Sequence, residues 1–255
     1  MWVFGYGSLV WKVDFPYEKR FPGFVRGYVR RFWQGSVDHR GTPGEPGRVV
    51  TLIPLSEWQS DHCAHDPHDG GEECWGVAYK IAEDKEEEVK AHLDHREKNG
   101  YEVVEADVFH PSVKDEDGKL RPVVRAMVYC ATSQNESFLG PAAGIEAIGK
   151  QIAITKGPSG WNADYLLSLC HSMRMLAPHV PDGHLLALES AVLQHLDVIN
   201  NSADGTSSSK ESAERVLRKI PDFTSGDAEL ASVLKVDVAA IVLAEQQRLV
   251  RREIN

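Results

Sequence analysis

The sequence predicts an α+β fold, with strands in the first half and helices in the second. Three observations carry this. Short apolar or alternating blocks recur from Trp2 to Ala131, separated by Gly- and Pro-containing turns. From Pro141 onward apolar residues return instead at three- and four-residue spacing, through Ile145, Ile148 and Ile152 and again through Leu185, Leu188, Val192 and Leu196. Between the strands sits one acidic helical stretch, Asp84 to Lys98.

Taken in order, Trp2-Val3-Phe4 opens as a buried strand and is broken by Gly5 and Gly7, with Tyr6 between them and Ser8 and Leu9 after. Glycines there mark a sharp turn or a close approach of the backbone by a ligand. Such a turn can offer N–H groups, a phenol and a hydroxyl to an anion or a polarised carbonyl, or it can be an ordinary turn. Asp14 to Pro22 reads as loop, and Phe24 to Trp33 as one strand that places Arg30 and Arg31 on opposite faces. Arg48 to Ile53 and Trp75 to Ile81 read as strands. The stretch between them, Ser56 to Glu73, is rich in His and Asp and reads as an exposed insertion.

Asp84 can cap the next helix, and Gly100 ends it. Tyr101–Phe109 and Pro122–Ala131 alternate as strands joined by a charged turn at Asp115–Gly118. Asn162 is placed to cap a helix running to about Met175. Ser202 to Ser212 reads as a linker. Beyond it, a helix from Asp227 to about Arg252 carries a stripe through Leu230, Leu234, Val238, Ile241, Ala244 and Leu249. That stripe fits packing on the same chain or on a partner.

Composition narrows the function. A net charge of −10, with no strong basic run, argues against nucleic acid as the main partner. No apolar run is long enough for a membrane span. The apolar N-terminus lacks the cationic region and cleavage site of a secretory leader, so none is expected. The four cysteines, Cys63, Cys74, Cys130 and Cys170, are scattered, which points to a reduced, cytoplasmic setting.

Within the acidic helix, Val89, Leu93 and Glu97 stand four residues apart and project from nearly one side. Two are apolar, so Glu97 is carried toward the interior or a cleft. It also lies in the last turn, where the helix dipole disfavours a carboxylate, and partial burial acts the same way. Its pKa is expected to rise. Either Glu97 pairs with a cation such as Arg96 or Lys98, or it is a general base tuned toward neutral pH.

Several blocks together resemble the ChaC-type γ-glutamylcyclotransferases, closest to their ChaC2-like, glutathione-specific branch. They are Phe4-Gly5-Tyr6-Gly7-Ser8-Leu9-Val10-Trp11, Arg30 to Ser36 with Asp38-His39-Arg40-Gly41, and Arg48-Val49-Val50-Thr51-Leu52. Leu93-Asp94-His95-Arg96-Glu97-Lys98-Asn99-Gly100-Tyr101, Leu139-Gly140-Pro141-Ala142 and Gly157-Pro158-Ser159-Gly160 continue the series. The resemblance spans residues 1–197 in order. The longer 56–73 insertion and the 198–255 extension depart from it. It implies a small mixed β-barrel flanked by helices. It also implies cleavage of reduced glutathione to 5-oxoproline and cysteinylglycine, with neither metal nor organic cofactor. Glu97 would be the catalytic carboxylate, and Val3, Phe4, Gly5, Tyr6, Gly7, Ser8 and Leu9 would bind substrate. Arg40, Arg48, Tyr101 and Tyr165 are candidates for lining the pocket, with structural roles as the alternative.

Other readings stand beside this one. His62, Cys63, His65, His68 and Cys74 are zinc-ligand types, but without a paired spacing. A cyclotransferase for other γ-glutamyl amines or dipeptides, or a non-catalytic γ-glutamyl-binding scaffold acting through the C-terminal helix, would share the motifs. The oligomeric state is left open.

Overall fold

The computed structural model describes residues 1–62, 64, 66, 73–96, 100–142, 144–201, 214, 232 and 235–254. A closed five-stranded barrel organises it, in the order β1 (Trp2–Gly5), β5 (Glu73–Lys80), β2 (Lys19–Arg26), β6 (Glu102–Lys114) and β7 (Leu120–Cys130). Neighbours run antiparallel except at the seam, where Val3 of β1 lies beside Met127 of β7 in parallel register. The barrel is therefore mixed. Phe4, Phe21, Phe24, Val77 and Val108 fill the core with essentially no exposure. A two-stranded sheet, β3 (Tyr28–Ser36) with β4 (Gly47–Pro54), stands apart from the barrel ladder. A two-residue hairpin, β8 (Lys156–Gly157) with β9 (Gly160–Trp161), comes later in the chain.

The helices are α1 (Leu55–Glu57), α2 (Glu86–Arg96), α3 (Ile145–Ile154), α4 (Asn162–Leu176), α5 (Gly183–Asn201) and α6 (Val238–Ile254). Ile148, Ile152, Leu185, Leu188, Val192 and Leu196 all turn inward, as their spacing predicts. Val238 and Ile241 of α6 are buried, and α6 lies against β6 and β7. Leu230 and Leu234 of the predicted stripe fall outside the described residues. Among the described residues no helix is long and apolar enough to cross a membrane.

Four local readings change. The single strand expected from Phe24 to Trp33 is two strands, broken at Gly27, whose φ of 80° suits glycine. The expected loop up to Pro22 is partly the start of β2. Pro22 lies opposite Val77 of β5, while on its other side β6 pairs only with Phe24 and Val25, so that side of Pro22 has no ladder to break. Asp84 sits inside a 3₁₀ turn, Glu83–Lys85, that precedes α2 rather than capping it. Asn162 does not cap α4 by its side chain. Its Oδ1 accepts from the Arg48 N–H at 2.6 Å and its Nδ2 donates to the Arg48 carbonyl at 2.7 Å, clamping β4 to α4.

Nor is the 56–73 segment wholly exposed. Trp58 and Asp66 are buried, and Asp66 Oδ2 lies 2.9 Å from Arg31 Nε and 2.8 Å from His184 Nδ1. His184 Nε2 accepts the Phe32 N–H at 3.1 Å, so the ring is the neutral, Nδ1–H tautomer. Burial pulls His184 below its ordinary value, and Asp66 opposes that only in part. The unfolded chain thus binds the proton first as pH falls below about 6.5. Stability should be full above that value and decline beneath it. The urea midpoint is expected to fall between pH 7.5 and 5.5, by less in a His184→Gln variant. Equal slopes would assign the loss to other groups.

Cys74, Cys130 and Cys170 are unpaired by disulfide and buried. Burial pushes Cys130 up to about 12 and raises the other two above the ordinary thiol value.

Candidate active site

β1 delivers the chain to the mouth of the barrel. At Gly5 a Cβ would lie 2.5 Å from Leu9 Cβ, and at Gly7 one would lie 2.9 Å from Val50 Cγ2 and 3.0 Å from Tyr165 Oη. Only glycine lets the strand turn that tightly into the 3₁₀ turn Ser8–Val10. Tyr79 fixes the far side, its hydroxyl donating to the Leu9 carbonyl at 2.6 Å.

This turn is one wall of a cavity of about 340 Å³, a size suited to a small polar ligand. Phe4 through Leu9 line it. The opposite wall is built from the last turn of α2, through Leu93 and Arg96, and from Tyr101 just before β6. Ser36 ends β3, Asp38, His39 and Arg40 enter from the segment after it, and Tyr165 comes from α4. The Gly5–Leu9 turn and the end of α2 thus line one cavity. Glu97 itself lies outside the described residues, directly after Arg96.

Arg40 stands with its guanidinium carbon 5.4 Å from the Tyr165 ring centre, donating to the Trp161 carbonyl at 3.1 Å. Burial draws its pKa down, partly offset by Tyr165 and Asp164. His39 Nδ1 lies 2.8 Å from Asp38 Oδ1.

Two expected site residues do not line the cavity. Val3 is fully buried in the barrel, paired with Tyr79, because its side chain points to the core. Arg48 is buried and donates to the carbonyls of Phe32 at 3.0 Å and Gly140 at 2.8 Å and to Gln151 Oε1 at 2.6 Å. Burial lowers it to about 10, so it stays a cation that ties β3, α3 and the Gly140 loop together. Tyr6 does line the cavity, and its hydroxyl donates to the Tyr129 carbonyl at 2.7 Å.

Sequence reasoning missed Arg96, Lys12, Asp14 and Tyr129 as lining residues. Arg96 had a signal: it stands three residues after Leu93 and so shares the buried helix face. Its Nη2 donates to Ser8 Oγ at 2.6 Å and its Nη1 to Asp14 Oδ1 at 2.8 Å. Of the proposed zinc ligands, Cys63, His65 and His68 fall outside the described residues, and Cys74 is buried 3.5 Å from Arg30 Nη2. Among the described residues no group of three His, Cys, Asp or Glu is placed to hold a metal ion.

The family model for ChaC-like proteins matches residues 1–195. The chain belongs to the ChaC-like family. A glutathione-specific gamma-glutamylcyclotransferase 1 of Danio rerio is 44% identical over 195 residues, covering 76% of this chain and 89% of the relative. The glutathione-specific gamma-glutamylcyclotransferase of Schizosaccharomyces pombe is 39% identical over 198 residues, covering 77% and 94%. A crystal structure of a γ-glutamyl cyclotransferase specific to glutathione from yeast superposes with a TM-score of 0.68 at 33% identity, covering 76% of this chain and 96% of that one. The closed mixed barrel with flanking helices is thus the ChaC-like architecture expected from the motifs.

Proposed function

We propose that this chain is a glutathione-specific γ-glutamylcyclotransferase, a lyase that converts reduced glutathione to 5-oxoproline and L-cysteinylglycine. The carrying observation is one cavity walled by the Gly5–Leu9 turn on one side and by the end of α2 on the other. The names and extent of the ChaC-like relatives support the same substrate.

A γ-glutamyl amide holds its own nucleophile, the α-amine, which is an ammonium at neutral pH. Glu97 removes a proton. The freed amine attacks the γ-carbonyl carbon and closes a five-membered ring. The bond to the cysteinyl nitrogen breaks as Glu97 returns the proton to that departing amine, and the ring nitrogen gives up its second proton to water, leaving a neutral lactam. The enzyme's main task is to hold the substrate folded, since intramolecular attack already removes most of the entropic barrier. Backbone N–H groups of the Gly5–Leu9 turn face the α-carboxylate or the forming oxyanion. Arg40, held over Tyr165, supplies a cation to a substrate carboxylate, and Tyr101 and Tyr165 shape the wall. Residues 1–197 carry this chemistry, with 198–255 as an extension, and the scattered cysteines favour a cytoplasmic setting.

The test offers glutathione, its disulfide and several γ-glutamyl dipeptides to the pure protein and measures 5-oxoproline. Reduced glutathione is expected to give one 5-oxoproline per cysteinylglycine, at a higher kcat/KM than any other substrate. A better dipeptide would move the assignment to a sister activity, and no 5-oxoproline from any of them would sink it.

A further inference from the structure

Arg96 joins the two walls of the cavity. Its Nη2 donates to Ser8 Oγ at 2.6 Å while Nη1 donates to Asp14 Oδ1 at 2.8 Å, and the side chain is only 19% exposed. The fork is therefore held at both prongs by separate stretches of chain, with the cation at the end of the helix that leads into Glu97. The contact constrains the serine. A guanidinium only donates, so Ser8 Oγ must accept from it, and the hydroxyl proton is directed elsewhere. Ser8 belongs to the cavity lining.

We infer that Arg96 is a positioning residue that fixes Ser8 as a hydrogen-bond donor to the carboxylate of a γ-glutamyl group. This rests on the cyclotransferase reading. Donation from the cation also polarises the hydroxyl, strengthening the bond it gives. The α-carboxylate persists unchanged from the γ-glutamyl substrate into 5-oxoproline. Its recognition therefore belongs to ground-state binding and should register in KM and in product affinity more than in kcat.

The experiment combines Arg96→Gln and Ser8→Ala in a double-mutant cycle on the full chain, with 5-oxoproline binding measured by calorimetry beside glutathione kinetics. Each single variant is expected to weaken 5-oxoproline binding and raise KM by roughly 10- to 100-fold, with kcat changed several-fold at most. In the Ser8→Ala background, Arg96→Gln should add less than about threefold, because the group it acts through is gone. Arg96→Lys, which keeps a cation and is the gentler change, should fall between wild type and Arg96→Gln. It serves as the test partner if Arg96→Gln does not fold. Multiplicative effects in the cycle would overturn the inference, as would an Arg96 variant with normal affinity for 5-oxoproline. Wild-type protein that releases no 5-oxoproline from any γ-glutamyl substrate would instead remove the activity itself, which is a separate result.

Discussion

Glu97→Gln is expected to lower kcat by roughly 10²–10⁴-fold, the usual contribution of a positioned acid–base group, while circular dichroism and 5-oxoproline affinity stay near wild type. The amide matches the carboxylate in shape and can still accept a hydrogen bond, but it cannot take a proton from the substrate ammonium. Without that step the α-amine stays protonated at neutral pH and has no lone pair for the γ-carbonyl. In the proposed cycle one group serves twice, as base and then as acid, so no other residue on that pathway masks its loss. Turnover within a few-fold of wild type would take Glu97 out of the mechanism. Loss of 5-oxoproline binding together with turnover would make it a structural residue.

The second large effect is on stability. Asp66→Ala is expected to destabilise the protein by about 3–5 kcal/mol, because it removes the carboxylate that lies 2.9 Å from the buried Arg31 guanidinium. Arg31 has no solvent exposure and Asp66 is 2% exposed, so water cannot replace the lost partner. The ring faces of Trp33 and Trp58, 5.9 and 5.2 Å from the guanidinium carbon, cushion the cation but do not neutralise it. For a chain of this size the melting temperature should drop by about 6–20 °C. Arg31→Met added to Asp66→Ala should recover much of that loss, since an apolar side chain can replace a buried pair at little cost. A single Asp66→Ala variant within about 1 kcal/mol of wild type would show that the pair is reached by water.

The order of strands and helices was legible because each strand keeps its own apolar pattern and each helix its own stripe. Val89 and Leu93 turn inward as their spacing requires. The cavity was legible in part, since glycines at the end of an apolar strand are a local signal. What failed depends on distant partners. Arg30 and Arg31 read as opposite faces of a strand, yet both are buried, because β3 is irregular between Arg31 and Gln34 and is covered on both sides. Asp66 sits in a polar stretch that reads as solvated, and only the fold brings Arg31 and His184 to it. Arg48 carries the residue type of a substrate clamp, but its hydrogen-bond partners are carbonyls that lie far away in sequence. Propensity and spacing describe what a segment wants locally; they do not say which distant group will satisfy it.

The buried cysteines bear on how the protein would survive the substrate proposed for it. Glutathione and its disulfide exchange with any accessible protein thiolate, and the rate depends on thiolate and on access. Cys130, held near 12, is almost wholly protonated at neutral pH, and Cys74 and Cys170 are likewise shielded. An enzyme with the proposed activity would thereby keep these three sulfurs out of mixed disulfides while a thiol tripeptide enters its cavity, and its turnover would be insulated from swings in cellular redox balance at those positions.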